Sequence, residues 1–193
     1  ISADDHMDVH VLPPGLFQDR LPKEHREAGP KVVETKDGPF WQAEGRMVSP
    51  SGRKAAGYIS ANDHGFRPGQ PQTRIEDMDR DGVYAQIIYS PMTTQLQIQN
   101  PELRAACLRA YNDWAADFNK LAPSRLLLLS HLPSHDPKAA RDELERVTRL
   151  GHRGAIVGQQ EAPEPIFDAS WRGFWDTANE IGIPIHTHLG PAP

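Results

Sequence analysis

The stretch ISADDHMDVHV places two histidines and three aspartates within the first eleven residues. Side chains alternate between the two faces of a strand, so one face would carry four polar groups: Asp4, His6, Asp8 and His10. The opposite face would be apolar except for Asp5. Carboxylates and imidazoles bind divalent metal ions and also transfer protons. The residues alone fit a metal site, an acid–base site or a solvated edge strand.

A second pair of histidines occurs in the stretch IPIHTHLG, residues 183–190. His186 and His188 share one face of a predicted strand, and His188 lies at its carboxyl end. A third apolar run, RLLLLSHL, ends close to His131. In barrels of parallel strands the carboxyl ends carry the functional site. Imidazoles and carboxylates on separate strand ends therefore predict a site for a divalent metal ion.

The four polar residues of the first strand cannot all bind one ion. Same-face neighbours are ~6.6–6.8 Å apart, so four of them span about 20 Å, whereas a metal ion binds its ligands at ~2.0–2.2 Å. Two neighbours can converge, which leaves three possible pairs: Asp4 with His6, His6 with Asp8, and Asp8 with His10.

Periodicity predicts an α/β fold with a parallel sheet covered by helices, because apolar strands alternate with amphipathic helices. The predicted strands are residues 1–11, 83–90, 125–132, 154–158 and 183–188. The predicted helices are residues 73–82, 100–122, 136–151 and 168–182. Between the first two strands, residues 12–70 are rich in proline and turn residues, and we expect a long irregular insertion there.

Composition narrows the class of protein. The length of 193 residues fits a single domain, residues 1–193, and the net charge of −5 argues against nucleic acid or an anionic membrane as a partner. The one cysteine, Cys107, excludes a disulfide within this chain. No apolar run reaches the ~20 residues that span a bilayer. We expect a cytoplasmic protein that acts on a small molecule.

Five stretches in order resemble the amidohydrolase superfamily, in the branch that contains aminocarboxymuconate semialdehyde decarboxylase and resorcylate-type decarboxylases. They are ISADDHMD, LPPGLF, RIEDMDRDGV, APSRLLLLSHLPSHDPKAARDEL and GIPIHTHLG. The resemblance implies a (β/α)8 TIM barrel with a divalent ion at its carboxyl-terminal mouth, of which this chain would supply about five strands. It implies zinc as the ion, with manganese or magnesium as alternatives.

The resemblance also assigns roles to residues. The family carries an acidic-x-His or His-x-His metal pair on its first strand, which favours Asp4 with His6, and a metal-binding histidine after its fifth strand, which matches His188. We expect Asp8, His64 and His186 to face the substrate or to lie beside the ligands. His10 is expected above the mouth, near the proline turn.

The resemblance places a further histidine and a catalytic aspartate on later strands, which have no counterpart here, so no catalytic residue is assigned. We therefore expect an amino-terminal portion of a barrel that is inactive alone and forms a homo-oligomer when complete. The expected function is a metal-dependent hydrolase or a non-oxidative decarboxylase of a small carboxylated, aromatic or ring-derived substrate. The alternative is a non-catalytic, metal-free barrel fragment or binding module.

Overall fold

Short parallel strands form the frame of the protein, as the alternation of apolar and amphipathic segments predicts. The computed structural model describes residues 1–52, 69–159 and 162–188. The parallel strands in these ranges are β1 (Ser2–His6), β5 (Gln86–Tyr89), β6 (Leu126–Leu128), β7 (Ser130–His131), β8 (Ala155–Ile156) and β9 (Ile185–His186). They occupy the five predicted positions, and β6 and β7 together fill the third one.

The third strand position is split at Leu129, where the strand changes its hydrogen-bonding partner. β1, β5 and β6 form one ladder, and β7, β8 and β9 form another. The Leu129 amide still donates to the Ile88 carbonyl at 3.0 Å, whereas the next amide, Ser130, donates to Gly154 at 3.3 Å. The spatial order is therefore β1, β5, β6/β7, β8 and β9, and the described strands do not close a barrel.

Helices connect these strands and cover them. They are α1 (Leu16–Arg20), α2 (Pro71–Arg80), α3 (Met92–Leu96), α4 (Pro101–Asn119), α5 (Pro137–Arg149) and α6 (Arg172–Ile181). Asn100 and Asp136 cap α4 and α5 by accepting bonds from the Leu103 and Lys138 amides, each followed by a proline at the first helical position. None of the helices in the described ranges combines the length and apolar character that crossing a bilayer requires.

The insertion is more regular than its composition predicts. Residues 12–70 were expected to be irregular, yet the described part contains an antiparallel sheet of β2 (Lys31–Thr35), β3 (Gly38–Ala43) and β4 (Arg46–Pro50). Tight turns connect these strands, with positive φ angles of 108° at Gly38, 52° at Glu44 and 74° at Gly45. The Asp37-Gly38 dipeptide is a hairpin signal in this otherwise proline-rich segment, and the second turn places Glu44 and Gly45 at positive φ.

Two sets of hydrogen bonds attach this antiparallel sheet to the rest of the protein. Trp41 is fully buried, and its indole Nε1 donates to the Val9 carbonyl at 2.9 Å. The Glu44 carboxylate accepts from the Gln99 and Asn100 amides at 2.8 and 2.7 Å, beside the start of α4. These three backbone groups are thereby satisfied by side chains of the insertion.

The first strand is shorter than predicted. Residues 1–11 were expected to form one strand, but β1 ends at His6 and a 3₁₀ turn follows at Val9–Val11. The last ladder bond runs from the Met7 amide to the Tyr89 carbonyl at 2.7 Å, where the partner strand β5 also ends. Asp8 and His10 therefore do not continue the face that carries Asp4 and His6.

His131 is part of the packing between the sheet and α4, although its position at a strand end suggested a place beside the other polar strand ends. Its side chain is buried, and the ring lies edge-on to Tyr111 with centroids 5.3 Å apart. Its backbone exchanges two hydrogen bonds with the Asn112 side chain, at 2.8 and 2.9 Å. Burial lowers the pKa of His131 from 6.5 to about 4.

We expect His131 to make the stability of the protein pH-dependent. The unfolded chain takes up a proton near pH 6.5 and the folded protein only near pH 4, so stability is fully present above pH 6.5 and falls as the pH drops to 4. The loss amounts to roughly 3 kcal/mol at most. Urea unfolding of the intact protein at several pH values between 4 and 7 measures it.

The variant His131→Phe keeps an aromatic ring against Tyr111 but cannot titrate. It should lose most of this contribution to the pH dependence, whereas a control variant of the exposed His135, His135→Gln, should retain it. An unchanged dependence in His131→Phe would contradict the assignment.

Candidate metal centre

The amino-terminal strand presents Asp4 and His6 on one exposed face, two residues apart, as strand alternation requires. β1 pairs with β5 in a register that sets His6 beside Tyr89. Because both strands end here, the His6 and Tyr89 side chains lie at the carboxyl-terminal edge of the sheet. The separation between His6 Nε2 and Asp4 Oδ1 is 3.9 Å.

His188 reaches this pair from the opposite side of the described sheet. It lies two residues beyond the end of β9. Its Nε2 atom is 3.3 Å from His6 Nε2 and 3.2 Å from Asp4 Oδ1. One carboxylate oxygen and two imidazole nitrogens from the two ends of the chain therefore converge on one point.

These three residues fit a divalent metal ion in both donor chemistry and spacing. Imidazole nitrogen and carboxylate oxygen are the ligand types that zinc and manganese accept. Ligands ~2.1 Å from an ion and at tetrahedral angles to each other lie about 3.4 Å apart. The three ligand atoms lie within 4.8 Å of one another, and the residues form the one such group found in the described part of the chain.

Asp8 is held away from this group. It precedes the 3₁₀ turn at Val9–Val11, and its Oδ1 accepts a bond from Gln95 Nε2 on α3 at 3.3 Å. The same glutamine accepts a bond from the Val9 amide through Oε1 at 2.8 Å. Asp8 is thus engaged with α3, and the structure brings together Asp4 and His6 with His188.

A cavity of about 320 Å³ lies on the α2 side of this region. His6, Asp8 and His10 line it from the first strand and its turn, and Arg74 and Asp77 line it from α2. His10 belongs to the 3₁₀ turn and is not among the three converging residues. His64 lies outside the described residues.

His186 lies on β9 and is hydrogen-bonded to Tyr89, a residue that the sequence analysis did not single out. Its Nδ1 is 2.9 Å from the hydroxyl of Tyr89. Burial lowers the pKa of His186, which favours the neutral ring at neutral pH. The ring leans over Gly154, where a β-carbon would come within 3.1 Å of His186 Nε2 and within 2.6 Å of Leu129, so the glycine leaves room for both side chains.

Tyr89 contacts both histidines of the carboxyl-terminal stretch. Its ring centroid is 4.9 Å from that of His188 and 5.8 Å from that of His186. Burial and the negative charge of Asp4 raise the pKa of Tyr89, so the phenol keeps its proton at neutral pH. The available signal was its place as the last aromatic residue of the predicted strand 83–90.

A polar network on the other face of β1 supports the strand end. Arg74 Nη1 donates to the His6 carbonyl at 3.1 Å, and Arg74 Nε donates to Gln86 Oε1 at 2.6 Å. Gln86 Nε2 donates to Asp5 Oδ1 at 2.9 Å, and Arg74 lies 3.6 Å from the same carboxylate oxygen. This network explains the one charged residue on the otherwise apolar face of the first strand.

Comparisons with characterised proteins find a related sequence over part of the chain. A gamma-resorcylate decarboxylase from Rhizobium sp. (strain MTP-10005) is 29% identical over 123 residues, and the match covers 60% of this chain. The match spans 38% of the length of that relative, so the aligned part of the chain corresponds to well under half of it.

Solved structures show the same fold. An amidohydrolase from Mycobacterium avium subsp. paratuberculosis K-10 has a TM-score of 0.76 at 17% identity, over 99% of this chain and 58% of that chain. A dihydroxybenzoic acid decarboxylase from Polaromonas sp. JS666, with bound manganese and the inhibitor 2-nitroresorcinol, has a TM-score of 0.56 at 21% identity, over 100% of this chain and 50% of that chain. The fold is therefore α/β of the TIM-barrel type.

The match to the family model extends over more of the chain than the sequence match to the Rhizobium relative. A family model described as amidohydrolase covers residues 6–192, which includes His6, His186 and His188. Because the model spans nearly the whole chain, the protein belongs to the amidohydrolase family.

Proposed function

We propose that the intact protein is a divalent-metal-dependent, non-oxidative decarboxylase of a small hydroxylated aromatic acid. The observation that carries this proposal is the convergence of Asp4, His6 and His188, whose Nε2 and Oδ1 atoms lie 3.2–3.9 Å apart. The similarity to gamma-resorcylate decarboxylase supports the choice of reaction.

In this proposal Asp4, His6 and His188 hold the ion. When bound, a divalent ion would act as a Lewis acid and would orient the substrate through its carboxylate and an adjacent oxygen. The three residues would bind and position that ion, and Tyr89 lies beside them in contact with the His188 and His186 rings. Zinc was the metal expected from the sequence, and manganese is the ion bound in the Polaromonas relative, so both are tested.

The proposed reaction is balanced without an oxidant. The bond between the ring carbon and the carboxylate breaks, carbon dioxide leaves, and a proton takes its place on the ring carbon. We assign this proton donor to no residue of the chain. The complete eight-stranded barrel, into which the described strands would fit, is part of the same proposal.

Substitution of the three converging residues should abolish tight metal binding, whereas substitution of their neighbours should not. We expect Asp4→Asn and His188→Ala to weaken Mn²⁺ or Zn²⁺ binding by more than about 100-fold, because losing a ligand exceeds the ~10–100-fold cost of losing an outer partner. Calorimetric titration of the intact protein after chelation measures the affinity.

The matched controls are Asp8→Asn and His10→Gln, which change the same residue types outside the group of three. We expect their affinities to stay within about threefold of wild type. If Asp8→Asn and His10→Gln lost more metal affinity than Asp4→Asn, the metal-binding pair of the first strand would be Asp8 and His10, four residues further along the chain. Stoichiometric metal in none of the proteins would favour the metal-free alternative.

The reaction itself is tested with a panel of hydroxybenzoates that includes gamma-resorcylate. The metal-loaded intact protein should release carbon dioxide and form one equivalent of the decarboxylated phenol, and His188→Ala should reduce the rate at least 100-fold. The control variant Asp37→Asn, in the exposed turn between β2 and β3, should keep the wild-type rate. Cleavage of esters or lactones without carbon dioxide release would identify a hydrolase instead.

A further inference from the structure

The three converging residues differ in how the backbone holds them. Asp4 and His6 lie within β1, whereas His188 lies beyond the last residue of β9, which is itself two residues long. The position of the His188 ring therefore depends strongly on its side-chain contacts. One of these contacts is the Tyr89 ring, tilted by 46° at a centroid distance of 4.9 Å.

Tyr89 is itself fixed to the strand that carries the other two residues. It pairs with His6 in the ladder between β1 and β5, and its carbonyl accepts the Met7 amide at 2.7 Å. The backbone hydrogen bonds between β1 and β5 therefore hold Tyr89 beside His6, and the Tyr89 ring can pack against His188 from there.

The hydroxyl of Tyr89 makes the second connection, to β9. Its 2.9 Å contact with His186 Nδ1 joins β5 to β9, two strands that lie in different ladders of the sheet. This hydrogen bond joins the two side chains whichever of the hydroxyl and the imidazole nitrogen donates it. The missing β-carbon at Gly154 allows the His186 ring to lie where it meets the hydroxyl.

We propose that Tyr89 is a positioning residue of the metal centre, which sets the place of His188 relative to Asp4 and His6 through its ring and through its hydrogen bond to His186. The inference rests on the proposed function, since it concerns the same metal ion. The hydroxyl fixes β9 and the ring fixes the imidazole of His188, so the two parts of the side chain make separable contributions.

Three variants and one control of the intact protein separate these contributions. Tyr89→Phe removes only the hydroxyl, Tyr89→Leu also removes the ring, and His186→Gln changes the partner. The control is Tyr84→Phe, because Tyr84 is an exposed tyrosine near the opposite end of the same strand. Each protein is titrated with Mn²⁺ and Co²⁺, the visible absorption of the Co²⁺-saturated protein is recorded, and the metal-free protein is melted.

We expect a graded loss of metal affinity, about threefold to tenfold in Tyr89→Phe and His186→Gln and ~10–100-fold in Tyr89→Leu, as for partners that orient a ligand. The Co²⁺ absorption bands should shift in these variants even at saturation, because ligand geometry has changed. A purely structural role would lower the melting temperature of the metal-free protein and leave the bands of the saturated protein unaltered. Tyr84→Phe should match wild type in every measurement.

The outcomes distinguish this inference from the proposed function. The positioning role would be overturned if all three variants kept the wild-type metal affinity and the wild-type Co²⁺ bands. The proposed function would still stand in that case, provided that His188→Ala loses metal binding. Absence of metal binding in the wild-type protein would overturn both. If Tyr89→Leu does not fold, Tyr89→Phe and His186→Gln still decide the question.

Discussion

Curvature of the parallel sheet is the constraint on which the candidate metal centre depends. Five strand positions in a flat sheet would place β1 and β9 about 19 Å apart, at ~4.8 Å for each neighbouring pair. In the structure, side chains at these two ends approach to 3.3 Å between His6 Nε2 and His188 Nε2. The sheet must therefore curl strongly, and the split of the third strand at Leu129 lies midway along that curl. Residues 182 positions apart in the sequence meet because of this shape.

The site has a layered construction that follows from strand alternation. The face of β1 that carries Asp4 and His6 belongs to the interior of the curl, where Tyr89 and His186 bridge β5 and β9. The opposite face carries Asp5, which is paired with Arg74 and Gln86. The polar groups that hold the strand in place are thus separated from those of the candidate metal centre. Because of this separation, Arg74 donates a hydrogen bond to the His6 carbonyl and leaves the His6 imidazole available on the other face.

Sequence reasoning identified the parallel frame and the residues that converge, because strand periodicity and the position of polar groups at strand ends are local properties. Asp4, His6 and His188 were selected in this way, with the family resemblance choosing among three registers. The end of β1 at His6 was not predictable from its own residues, because it depends on where β5 ends and on Gln95 and Trp41, which lie far along the chain. Tyr89 was missed for a related reason, since its partners His186 and His188 become neighbours only when the sheet curls. His131 shows the converse case, in which a strand-end histidine faces a helix.

The bond from the Trp41 indole to the Val9 carbonyl links the insertion to the loop that begins three residues after His6. The Val9 amide donates to the Gln95 side chain, so both backbone groups of Val9 are hydrogen-bonded to side chains from distant segments. The turn after the first strand consequently cannot rearrange alone, and any movement would have to carry the antiparallel sheet and α3 with it. The insertion thus braces the segment that follows the first strand, and a change in its length or packing would be transmitted through Val9 toward Asp4 and His6.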